Sequence, residues 1–182
     1  LKPQALQIDQ LLTERLILIP FTTKICENLM REDYSDLEKR NFKKGKSWPD
    51  ADVLETLPKI IANLAQVASP TGFESWIIIK KDNLEIIGDA GFKGFNTLLK
   101  SADIGYGIIA EERKKGFARE AAEALIKWAF ATGIVKEITA SCLMENQFSI
   151  NLLHKLNFFT TKTDDTMLYW FLQNKEYQIN RT

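Results

Sequence analysis

Leu16 to Pro20 is a short apolar run behind the polar triplet Thr13-Glu14-Arg15, and it predicts a first strand. Thr22 or Thr23 can then cap a helix running to about Glu32, and Ser35 or Asp36 can open another. Over Asp52–Ala68 the residues Val53, Leu57, Ile60, Ile61, Leu64 and Val67 recur at helical spacing, with Pro58 as a start or a kink. Ser69-Pro70-Thr71-Gly72 ends that segment. From Glu74 the pattern changes to strands: Glu74–Lys80, a turn at Asp82-Asn83, Ile86–Lys93 and Ser101–Ile109 read as a meander. A helix near Phe117–Thr132 is stopped by Gly133, and a strand near Lys136–Leu143 follows. Then come a helix at Asn146–Leu156 and two strands near Phe158–Thr163 and Met167–Leu172. This order predicts an α/β or α+β layer structure with a mixed sheet of about seven strands flanked by helices.

The length of 182 residues suits one domain, and no repeat or low-complexity linker divides it. Residues 1–182 therefore read as a single domain, with an N-terminal extension over 1–10 and a C-terminal tail over 173–182. Composition (45% hydrophobic, 26% charged) is that of a globular chain rather than a disordered one. The 24 Lys and Arg balance 24 Asp and Glu, which removes the overall field of a general nucleic-acid binder and leaves local asymmetry as the place to look. No apolar stretch approaches the ~20 residues of a membrane span, and Leu1–Gln10 holds no signal-peptide core. The chain opens on Leu1 rather than Met, which points to a trimmed or partial chain. Cys26 and Cys142 are isolated, with no CxxC pair or His cluster, so the expectation is two buried, reduced thiols of a cytoplasmic protein and no metal site.

Local asymmetry is found at Arg113-Lys114-Lys115-Gly116-Phe117-Ala118-Arg119, between a strand and a helix whose Ala118, Ala121, Ala122, Leu125 and Ala129 form an apolar stripe. Unpaired N–H groups of a first helical turn point along the axis, where the macrodipole contributes about half a positive charge. Gly116 can adopt a backbone angle that turns several N–H groups inward, and Ala118 is too small to block a phosphate. With four basic side chains in seven residues, the segment suits a pyrophosphate. It is neither a Walker loop nor a GxGxxG fingerprint.

Arg113-x-x-Gly116-x-Ala118 resembles the [Q/R]xxGx[G/A] acyl-CoA loop of the GNAT N-acetyltransferases. Leu12-Thr13-Glu14-Arg15-Leu16-Ile17-Leu18 resembles the opening of the RimJ/RimL-like branch, and Ile87–Phe92 with Ile104–Ile108 resembles its central strands. Ala121–Phe130 is similar to the helix after the loop, and Asn146-Gln147-Phe148-Ser149 with Leu153–Phe158 to its second cofactor motif. The resemblance implies a GNAT-like acyl-CoA N-acyltransferase fold in which Ser101–Ile109 and Lys136–Leu143 splay into a wedge for acetyl-CoA, the co-substrate. It further implies that N–H groups of Arg113, Lys114, Lys115, Gly116, Phe117, Ala118 and Arg119 hold the pyrophosphate. The edge near Ile108 and Ile109 would pair with the pantetheine arm, and Asn146 would hydrogen-bond it near the thioester.

Acetyl transfer needs a neutral amine, a polarised thioester carbonyl and a proton for the thiolate. A lysine-like amine of pKa about 10.4 costs roughly 4–5 kcal/mol to neutralise at pH 7, an α-amine near pKa 8 only about 1 kcal/mol. Direct attack in a ternary complex is expected, because neither Cys has a His or basic partner nearby in sequence for a covalent route. Asp103 is the candidate base or water-orienting residue: strand alternation puts it on one face with Gly105 and Gly107, leaving room for a ligand, while Ile104, Tyr106 and Ile108 share the other. Glu74, Glu85 and Asp89 are lesser alternatives. Ser149, one helical turn after Asn146, is the candidate acid, since the Tyr that many relatives carry is replaced by Leu153. Two more departures are Asn157, where a Gly is usual and a left-handed helix end is tolerated, and Lys114, where a Gly is common.

His154, the only His, reads as a surface residue. The run Lys39-Arg40 with Lys43, Lys44 and Lys46 reads as a solvated helix end, with an acidic acceptor or the CoA ribose phosphate as alternatives. Phe42 and Trp48-Pro49 would roof the acceptor pocket by resemblance, or pack in the core. The expected reaction is acetyl transfer to a primary amine. The RimJ/RimL likeness implies a protein N-terminal α-amine; a small-molecule amine (antibiotic or polyamine) and a catalytically silent acyl-CoA-binding domain are the alternatives. No direct nucleic-acid or membrane partner is expected, and the protein is read as a monomer or homodimer.

Overall fold

A computed structural model describes residues 2–177; Leu1 and residues 178–182 of the expected tail lie outside the described residues. The elements are β1 (Leu11–Leu12), β2 (Leu16–Pro20), α1 (Thr23–Met30), α2 (Ser35–Glu38), β3 (Lys43–Lys44), α3 (Ala51–Leu64), β4 (Ser75–Lys80) and β5 (Glu85–Asn96). They continue with β6 (Ser101–Ile108), a 3-10 turn at Ala110–Glu112, α4 (Phe117–Ala131), β7 (Glu137–Leu143), α5 (Gln147–Lys155), β8 (Phe159–Thr163) and β9 (Met167–Gln173). The sheet runs β1-β2-β4-β5-β6-β7-β9-β8, with β3 joining β5 off that path. Only β6–β7 and β3–β5 pair in parallel; the sheet is mixed, as the element order predicts.

Local chemistry explains most boundaries. Thr22 caps α1 by accepting from the Ile25 N–H, and Asp50, just before the expected start, caps α3 by accepting from Val53 N–H. Pro58 lies inside α3 and neither starts nor stops it: the carbonyl it cannot serve belongs to Leu54, on the exposed side of the helix. α3 ends at Leu64, earlier than the apolar periodicity through Val67 predicts. Asn157 takes the left-handed conformation (φ 63°) after α5, as its side chain permits. The basic run begins as a helix end, Lys39 being the C-cap of α2, but continues as a strand: Lys43 and Lys44 pair with Glu85 and Ile86, and Lys44 Nζ lies 4.0 Å from the Tyr34 ring centroid. Two-residue strands carry too little periodicity to be read in advance.

Register divides the sheet into two faces. Leu18, Ile78, Gly88 and Ile108 are cross-strand neighbours, as are Pro20, Trp76, Ala90 and Tyr106. This is the face α4 covers, through buried Phe117, Ala118, Ala121, Ala122, Leu125 and Ala129. Trp128 anchors the helix against Phe73 (5.0 Å) and Trp76 (6.1 Å between ring centroids). Gly72 makes that contact possible: its φ is +92°, and a Cβ there would lie 2.3 Å from the Trp128 ring. Gly72→Ala should therefore lower stability by about 1–3 kcal/mol in a chemical denaturation experiment, combining left-handed strain with overpacking. The opposite face carries Ile17, Ile19, Ile77 and Ile79 under α1 and α3, whose buried residues include Cys26, Leu29, Val53, Leu57 and Ile60. No helix among the described residues is long and apolar enough to cross a membrane.

Candidate active site

β6 and β7 start together and separate. Their ladder holds Ser101–Glu137, Ala102–Ile138 and Asp103–Thr139 and then stops, although β6 runs on to Ile108 and β7 to Leu143. The gap between Ile104–Ile108 and Ala140–Leu143 is the wedge. Alternation along β6 turns the peptide groups of Tyr106 and Ile108 toward it, because Ile109 N–H is bonded to Ile87 O on β5. This corrects the expectation for Ile109: its N–H is spent and its side chain is 2% exposed, so only Ile108 of the expected pair offers an edge.

At the open end of the wedge stands the start of α4. Gly116 is its N-cap residue in the left-handed conformation (φ 84°), with no side-chain cap on the first-turn N–H groups. A cavity of about 380 Å³ opens here between the loop and α5. It collects Arg113, Lys114, Gly116, Phe117, Ala118 and Arg119, as expected, together with Ile108. From α5 it adds Phe148 and Lys155, both within the segments that resemble the second cofactor motif, and Asn151, which lies between them. The basic side chains are less available than their number implies. Lys115 pairs with Glu112 at 2.9 Å and Arg119 with Glu123 at 2.7 Å. Arg113 Nε donates to Ile108 O at 2.8 Å. Lys114, at φ 61°, has no ion pair among the described residues. Two of the four cations are thus paired within the protein, while the first-turn N–H groups carry no side-chain cap. Arg15 braces the loop from β2's approach, donating to Lys115 O (2.9 Å) and to Glu120 (2.7 Å).

Asn146 caps α5, its Oδ1 accepting from Ser149 N–H at 3.1 Å, which leaves Nδ2 as a donor on an exposed residue. Ser149 is buried, and the Tyr106 phenol lies near it and near Cys142. Burial pushes Tyr106 up to about 12, against the opposing effect of Ser149, so both hydroxyls stay protonated at neutral pH. Tyr106, which alternation puts on the face shared with Ile104 and Ile108, brings a phenol to this end of the wedge, whereas Leu153 is 1% exposed. Cys26 is a core thiol that burial pushes up to about 12, and Cys142 is buried and unpaired.

Candidate acids and bases on the other face separate clearly. Asp103 sits where the ladder still holds, bonded by Lys93 Nζ at 2.6 Å and Thr139 Oγ1 at 2.8 Å. Glu74 is buried, receiving Thr71 N–H and Oγ1–H, and Glu85 pairs with Lys80 at 3.4 Å. Asp89 lies opposite Gly107, and burial, reinforced by Asp50 and Asp52, pushes its carboxyl up to about 7. Gly105 and Gly107 leave this face open: an added Cβ meets nothing within 4 Å at Gly105, and only Asp89 Oδ1, at 3.7 Å, at Gly107. Two cavities, of about 860 and 530 Å³, adjoin at Asp103 and Thr139 and reach from the end of α3 to Lys162, Tyr169 and Phe171. Phe42 and Trp48 are core residues rather than an open roof, and His154 is exposed with its ring edge-on to Trp170 at 4.9 Å.

A parallel strand pair that splays, with an uncapped helix start at its mouth, defines an acyl-CoA-binding transferase site. The chain belongs to the GNAT acetyltransferase family, whose acetyltransferase (GNAT) domain matches residues 15–158, and it is an acetyl-CoA-dependent N-acetyltransferase. It is 32% identical over 163 residues to the N-acetyltransferase YjdG of Bacillus subtilis (strain 168), spanning 90% of this chain and 97% of that one. The fold is shared with the ribosomal-protein-S5-alanine acetyltransferase of Vibrio fischeri (TM-score 0.65, 14% identity, 93% and 99% of the two chains). It is also shared with the microcin C7 self-immunity acetyltransferase MccE, solved with acetyl-CoA and AMP (TM-score 0.61, 15% identity, 88% and 93%).

Proposed function

We propose that the enzyme acetylates the α-amine of a polypeptide N-terminus by direct attack in a ternary complex. The supporting observation is the pair of cavities, of about 860 and 530 Å³, that share Asp103 and Thr139 and reach from the end of α3 to β9. The pyrophosphate of acetyl-CoA lies on the first-turn N–H groups of α4, and the pantetheine follows the Tyr106 and Ile108 peptide groups into the wedge, with Asn146 Nδ2 near the thioester. The amine approaches over Gly105 and Gly107. Asp103, already tied to Lys93 and Thr139, contacts the acceptor chain behind the amine rather than taking the proton. As the C–S bond breaks, the Ser149 hydroxyl, backed by Tyr106, protonates the departing thiolate on the other side of the sheet.

Ser149→Ala should slow turnover about 10–100-fold with acetyl-CoA affinity within about twofold; unchanged turnover removes the acid role. The acceptor is tested by thiol release with N-terminal peptides and, side by side, polyamines and aminoglycosides. The reading expects kcat/KM at least 100-fold higher for peptides. A preference for small amines would overturn it.

A further inference from the structure

Of the four candidate carboxylates Glu74, Glu85, Asp89 and Asp103, three are committed elsewhere. Glu74 closes the turn before β4 by accepting two bonds from Thr71. Glu85 is held by Lys80, and Asp103 by Lys93 and Thr139. The oxygens of Asp103 are thus already engaged by an ammonium and a hydroxyl. Asp89 differs. It accepts no hydrogen bond among the described residues, and its neighbour on β6 is Gly107, which interposes no side chain between it and the wedge edge. Adjacent strands are about 4.8 Å apart, so an amine resting over Gly107 lies within reach of the Asp89 oxygens directly or through one water.

We infer that Asp89 is the general base of the transfer, drawing the proton from the acceptor ammonium over Gly107, while Asp103, four residues back along β6, contacts the acceptor chain behind its amine. This rests on the proposed amine acetylation and names the group that starts it. The steps balance: the ammonium loses a proton to Asp89, and the nitrogen lone pair forms the C–N bond at the thioester carbonyl. The C–S pair leaves with sulfur, which takes the Ser149 proton. The second amine proton re-protonates Ser149 and Asp89 releases the first to solvent, so one free proton appears per acetamide and thiol. A base near neutrality is matched to an α-amine of pKa about 8, and burial supplies that value here. The charged groups facing Asp89 are Asp50 and Asp52 from the start of α3, the latter within 3.9 Å of Arg113 Nη2. Its partner residues on β4 and β6, Ile77 and Gly107, carry no charge.

The test is the pH profile of kcat/KM for the parent, Asp89→Asn and Asp103→Asn on the same peptide. Asp89→Asn should lose at least 100-fold in kcat at pH 7.5 with acetyl-CoA binding retained, and the limb near pH 7 should vanish. Asp103→Asn should keep that limb. A limb that persists in Asp89→Asn, or turnover within threefold of the parent, overturns the assignment. A second measurement is independent of turnover: carbon-13 carboxyl titration of the CoA-bound protein. An Asp89 signal titrating near 7 supports the inference and one near 4 overturns it. Failure of the parent to acetylate any amine would instead overturn the proposed function.

Discussion

Gly116→Glu is expected to weaken acetyl-CoA binding at least 100-fold, about 3 kcal/mol, with the fold intact. Gly116 sits at φ 84°, where a Cβ costs about 1–2 kcal/mol, and its nearest non-local atom is the half-exposed Arg15 guanidinium at 3.3 Å, which can give way. The protein therefore survives the change, while the new carboxylate lies where the unpaired N–H groups of Phe117, Ala118 and Arg119 converge. Repulsion from a pyrophosphate in the field of the α4 start then dominates. Lys114→Ala should cost only about three- to tenfold and reduce the salt dependence, because Lys114 acts through a screened point charge. Both are read by calorimetric titration with acetyl-CoA. Equal affinity of Gly116→Glu and the parent would remove the pyrophosphate from α4.

Asp89→Asn is expected to stabilise the protein above neutral pH by about 2–4 kcal/mol and to leave it nearly unchanged at pH 4. The sign follows from proton linkage. In the unfolded chain Asp89 titrates near 3.8, and in the native state near 7. Between these values the native state binds the extra proton, so native stability from this site is fully present below about pH 4 and lost as pH rises through 7. Asn carries no charge to desolvate and gives up no hydrogen bond, since Asp89 accepts none among the described residues. Urea denaturation of both proteins from pH 4 to pH 8.5 reads the difference directly. A constant difference across that range would show that the carboxyl is ionised normally in the folded state. A half-buried base that costs the fold stability and speeds the reaction is a trade expected at active sites.

The left-handed turn at Gly116, the helix ends and the strand faces were legible because their signals are local or periodic, whereas the wedge followed from the family resemblance. Gly116 and Ala118 within one turn, Asn157 at a left-handed end, and the caps Thr22 and Asn146 each depend on residues within three positions. Strand alternation also placed Asp103 with Gly105 and Gly107 on the open face, which the register confirms. What alternation cannot give is the group that arrives from a distant segment. Lys93 and Thr139 reach Asp103 from ten and 36 positions away, and Arg15 reaches Glu120 across 105. The same limit hid the Tyr106–Ser149 contact across the sheet, and the desolvation of Asp89, which depends on how α3 lies over β5. Charge counting misled at the loop for this reason too, since Glu112 and Glu123 pair with two of its four cations.

Amide hydrogen exchange with and without acetyl-CoA tests most directly whether the cofactor occupies the splay between β6 and β7. Binding should protect the amides of Phe117, Ala118 and Arg119 at the start of α4 together with Tyr106 and Ile108 on the β6 edge, leaving Ile109, already bonded to Ile87, unaltered. Saturating acetyl-CoA that leaves these five amides exchanging at their unliganded rates would contradict the account.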